Sequence, residues 1–62
     1  MAYNIAEIRK SKKMTQKELS KKSGVSRDTI SKIENGETVE VKLSTIEAIS
    51  NALDINWTEL IS

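Results

Sequence analysis

The chain has 62 residues with ten basic and nine acidic side chains, a formal net charge of +1, and neither cysteine nor histidine. That excludes disulfide frameworks and the usual zinc sites; with no imidazole or thiol, and carboxylates set singly at helical spacing, no enzyme, metal or cofactor is expected. No apolar run approaches the ~18 residues needed to span a bilayer and there is no signal-peptide core, so the expectation is one small cytoplasmic domain, 1–62, held together by an apolar core.

In chain order the signals read as all-α. Asn4 and Glu7 have capping-box spacing, in which a polar side chain and a glutamate three residues on satisfy first-turn amides; they open a helix predicted over about 4–12, with Ile5 and Ile8 inward. Thr15 and Glu18 open a second, about 15–22, anchored by Leu19 and ended by Gly24. Val25 plugs the turn, and Ser26 caps a third helix, about 26–34, with Ile30 and Ile33 facing the core. Asn35-Gly36 stops it, since both residues tolerate the left-handed conformation that ends helices. Thr38-Val39-Glu40-Val41 reads as an extended loop. Ser44 and Glu47 mark a fourth helix over about 43–53, in which Leu43, Ile46, Ile49, Ala52 and Leu53 recur at helical spacing. Asn56 and Glu59 mark a fifth, about 57–61, with Trp57 and Leu60 closing the core.

Charge is distributed unevenly along this plan. Nine of the ten basic residues lie between Arg9 and Lys32, opposed only by Glu18 and Asp28, a local net of +7. From Ile33 to Ser62 six acids face Lys42 alone, a net of −5. A fold with a basic front and an acidic rear is implied, and such asymmetry says more about partners than net charge does. The plainer reading is that the lysines solvate helix faces.

Thr15-Gln16-x-x-Leu19, Gly24-Val25-Ser26, Ile30-Ser31-Lys32-Ile33-Glu34-Asn35-Gly36 and Ala52-Leu53-Asp54-Ile55-Asn56 together resemble the phage Cro/CI-type (XRE) helix-turn-helix regulators, over about residues 5–60. The resemblance implies a five-helix bundle of the lambda/434-repressor type, with a helix-turn-helix unit at about 15–34. It also implies sequence-specific binding of double-stranded DNA, with the third helix in the major groove, and hence a transcriptional regulator, expected as a repressor from a bacterium, phage or mobile element. Two-fold operators and a nucleoid-associated location follow, with a weak homodimer as a possible partner state.

Carried over residue by residue, the resemblance puts Ser26, Arg27, Asp28 and Lys32 at base-contacting positions. Thr15, Gln16 and Asn35 fall where such proteins meet phosphates, Gln16 also being placed to brace Arg27. The planar fork of Arg27 matches the two acceptors of guanine's major-groove edge; a solvated helix-start arginine or a phosphate contact is its alternative. Asp28 is able to accept from cytosine, orient Arg27, or serve the helix dipole as a first-turn acid. Thr29 offers a methyl to thymine or a hydroxyl to phosphate, and Lys32 reaches a base or the backbone. Lys17, beside Gln16, is the best phosphate candidate among the lysines, the others adding long-range attraction.

Arg9 and Glu34 match positions that commonly pair in the interior of this family, and are expected as a structural ion pair. One departure is the acidic loop Glu37-Thr38-Val39-Glu40-Val41-Lys42, where the family often carries basic residues. Only Lys42 and loop amides remain there for phosphates, which implies weak binding by a monomer. Ser20, where alanine is usual, is a milder change. Ile55, Trp57 and Ile61 are the apolar positions available for self-association, with Trp57 read first as core. The alternative function is a protein-interaction module, such as an antirepressor or antitoxin-like partner, using the same bundle.

Overall fold

Four α-helices and one 3-10 segment make up the regular structure of the computed structural model, which describes residues 3–37 and 41–60: α1 (Ile5–Ser11), α2 (Gln16–Ser23), α3 (Arg27–Glu34), α4 (Leu43–Ala52) and the 3-10 segment Trp57–Leu60. Among the described residues no strand forms. The fifth helix expected over about 57–61 is thus a single 3-10 turn, closed where the Glu59 amide donates to the Asn56 carbonyl at 3.0 Å. Four residues are too few for the i to i+4 ladder of an α-helix to establish itself. Residues 38–40, most of the expected extended loop, and residue 61 lie outside the described residues.

Local chemistry explains the helix starts. The Thr15 hydroxyl accepts from the Glu18 amide at 3.1 Å, and the Glu18 carboxylate accepts from the Thr15 amide at 2.9 Å, a complete capping box. Those bonds hold the Glu18 carboxyl below the usual carboxylate range, the backbone bond from Thr15 being the largest cause. Ser26 caps α3 by accepting from the Thr29 amide at 3.2 Å. At the 3-10 segment, Asn56 accepts from the Thr58 amide and Glu59 from the Asn56 amide, both at 3.0 Å.

Two of the expected boxes are absent. Asn4 makes no side-chain cap bond to α1. Helix α4 begins after Lys42, which puts Ser44 inside the first turn instead of before it. Val41 packs against the core, so the chain arrives with Lys42 extended and turns helical at once.

The core is Ile5, Leu19, Ile30, Ile33, Ile46, Ile49, Leu53 and Leu60, one or more from every element. Ile8, Val25 and Ala52 are partly buried against it, joined by Met14 and Ile55. Helix α2 packs on α3 and α4, α1 lies on α3, and the 3-10 segment closes on α4. Two positions expected inside are exposed: Leu43 at 58% and Trp57 at 41%. Leu43 is the first residue of its helix, where the inward stripe has not yet begun. Trp57 follows the chain reversal at Asp54, which has φ 57°, and lies at the rim while Leu60 drops into the core. The Asn4 amide donates to the Leu60 carbonyl at 2.9 Å, tying the start of the bundle to its end.

Candidate nucleic-acid interface

Helices α2 and α3 meet through a turn set by Gly24, whose φ of 74° ends α2 in the left-handed conformation. The Gly24 amide donates to the Ser20 carbonyl at 2.9 Å. The Ser20 hydroxyl then donates to the Val25 carbonyl at 2.7 Å, bridging the turn from the helix behind it. The sequence marked Ser20 only as tolerable; its bond depends on the geometry of the turn, which spacing alone does not supply.

Beyond the turn, Ser26 and Thr29 share a hydroxyl contact of 2.8 Å, with Ser26 donating. Arg27, the first residue of α3, is exposed. Asp28 and Lys32 form an exposed i, i+4 ion pair at 3.2 Å along the same helix. Asp28 is therefore engaged with Lys32 and not with Arg27. A pair this exposed is worth well under about 1 kcal/mol, so both remain available to a ligand.

Gln16 is held from behind. Its Nε2 donates to Glu34 Oε1 at 2.9 Å, so its amide is anchored to the end of α3. Glu34 also receives Arg9 Nε at 2.9 Å and Arg9 Nη2 at 3.2 Å, while Arg9 Nη1 donates to the Met14 carbonyl at 2.8 Å. Burial would raise the Glu34 carboxyl; the hydrogen bonds from Arg9 and Gln16 and the arginine's charge more than offset it, and hold it below the usual carboxylate range.

This knot forms the back of an open groove lined by Lys10, Lys13, Thr15, Gln16, Lys17 and Arg27, with Arg9 and Met14 at its base. The groove brings together the end of α1, the start of α2 and the start of α3. Five basic side chains line it, of which Arg9 is paired with Glu34, and no carboxylate does. Other candidates lie elsewhere: Asn35 donates from its amide to Glu37 Oε2 at 3.3 Å, and Lys42 is the exposed N-cap of α4. Lys10 and Lys13 were not singled out by the sequence. The available signal was the short link between the first two helices, which forces the end of one against the start of the next.

A family model described as helix-turn-helix matches residues 5–60. No curated protein matches the chain.

Proposed function

Because the chain belongs to the Cro/CI-type (XRE) helix-turn-helix family of DNA-binding transcription regulators, we propose that it reads duplex DNA by placing α3 in the major groove, as a repressor of a bacterium, phage or mobile element. An α-helix with its side chains is about 10–12 Å across, which suits a major groove of about 12 Å. Ser26, Arg27, Asp28 and Lys32 meet base edges, with Arg27 taking a guanine. Thr15, Gln16, Lys17, Thr29, Asn35 and Lys42 meet phosphates. The 3-10 segment stands in the place of the family's fifth helix, and two copies bind a two-fold operator with half-sites about one helical turn apart.

The observation that carries this reading is the exposed Arg27 on a groove with Lys10, Lys13 and Lys17 and without an acid. A polyanion drawn to that groove lies against the first turn of α3, where base contacts are made.

The test is selection of the purified protein against a randomised duplex pool at ~100 mM salt, followed by sequencing of the retained fraction. The expected result is an enriched two-fold motif containing guanine, lost on Arg27→Ala. Retention without enrichment, or no retention, overturns the reading and favours use of the bundle to bind a protein.

A further inference from the structure

Resting on the reading that the chain binds duplex DNA, we propose that Lys10 and Lys13 contact phosphates directly, making the corner between α1 and α2 the principal backbone clamp of the complex. Lys10 is in the last turn of α1 and Lys13 in the link that follows, and both line the groove that also holds Arg27. Among the described residues none of Lys10, Lys13, Lys17 and Arg27 is in an ion pair, and Glu34, behind the groove, is engaged by Arg9 and Gln16. A strand whose base edge sits at Arg27 therefore runs past three uncompensated lysines.

The opposite flank of α3 has the reverse character. Past its C-terminus Asn35 is turned toward the exposed Glu37, and the segment on to Lys42 adds Glu40 in sequence. The Glu37 carboxylate repels phosphate, so Asn35 and Lys42 grip the backbone more weakly than the α1–α2 corner does. Lys13 also keeps a left-handed backbone, φ 55°, which is disfavoured by roughly 1–2 kcal/mol for a residue with a Cβ. Glycine or asparagine would suit that backbone better, but neither would bring a cation to the groove.

Lys12 and Lys22 are the natural controls. Both are exposed, lie close in sequence to the clamp, and are not among the groove's lining residues. They share the long-range field but not the contact.

The experiment measures affinity for one enriched duplex across a salt series, for the wild-type chain, Lys10→Gln with Lys13→Asn, and Lys12→Gln with Lys22→Gln. Circular dichroism melts accompany each protein, and asparagine is chosen because it tolerates the left-handed backbone. Each lost phosphate contact reduces the slope of log affinity against log salt by about 0.9. The groove pair is expected to flatten it by about 1.8, and the selection repeated with that variant is expected to return an unchanged motif. The control pair is expected to keep close to the wild-type slope. Equal slopes for the two double variants, with the wild type binding normally, overturn the clamp alone. Absence of duplex binding by the wild type overturns the functional reading and the clamp with it.

Discussion

Arg9 and Glu34, twenty-five residues apart in sequence, face each other as a two-point pair: Arg9 Nε is 2.9 Å from Oε2 and Nη2 is 3.2 Å from Oε1. Their side chains are only 11% and 6% exposed. The pair joins α1 to the end of α3, and through Gln16 it reaches the first residue of α2. Three helices thus share one polar knot at the edge of the core.

Breaking that knot from one side leaves a buried charge without its partner. Glu34→Ala and Arg9→Ala are each expected to destabilise by ~3–5 kcal/mol, whereas replacing both with Met and Leu should lose far less. The double variant still forfeits the Gln16 bond and the bond to the Met14 carbonyl. Urea midpoints of the two singles and the double decide the matter; a double variant as unstable as the singles would mean that lost packing, not the stranded charge, dominates.

Acid should find the same knot. Glu34 has a folded-state pKa below its unfolded value of about 4.5, so the folded state binds its proton less readily than the unfolded chain does. Its contribution is complete above that value and is lost as pH falls toward the folded pKa. Glu18 acts in the same direction from the cap of α2. Urea titrations between about pH 7 and about pH 3 should show stability falling below about pH 4.5, with a shallower fall for Glu34→Gln.

What the sequence made legible follows from the range of each interaction. Thr15 and Ser26 cap amides three residues away, so their chemistry was readable from spacing alone. Ser44 and Glu47 have the same spacing, yet the start of α4 is set by Val41 meeting the core from outside the helix. Trp57 and Leu60 both read as inward from the sequence, but only Leu60 is buried in the core, while Trp57 is left at its rim. The groove depended most on tertiary structure. Arg27 was visible as a first-turn residue, whereas Lys10 and Lys13 become its neighbours only when α1 and α2 fold back on α3.

Caps should therefore separate by mutation where their spacing does not. Thr15→Ala and Ser26→Ala each remove an acceptor for a helix-start amide and are expected to destabilise by ~1 kcal/mol. Ser44→Ala, inside an exposed first turn with no cap bond to lose, should stay within about 0.5 kcal/mol of wild type. Thermal melts of the three variants are sufficient, and a loss at Ser44 equal to that at Thr15 would show that α4 starts later in solution.

The closing segment offers the sharpest contrast of burial within one turn. Leu60 is fully buried and Trp57 is 41% exposed, although a pattern of period three would treat them alike. Leu60→Ala removes packed methyl groups and leaves a cavity, at an expected cost of 2–5 kcal/mol. Trp57→Ala sheds a ring that water already reaches, so a loss below about 1.5 kcal/mol is expected. The single tryptophan reports on itself as well: its emission in the folded protein should be red-shifted and open to quenching by iodide, though less than in urea. A blue-shifted, protected indole would mean that another surface covers Trp57 in solution, and its concentration dependence would show whether that surface is a second copy of the chain.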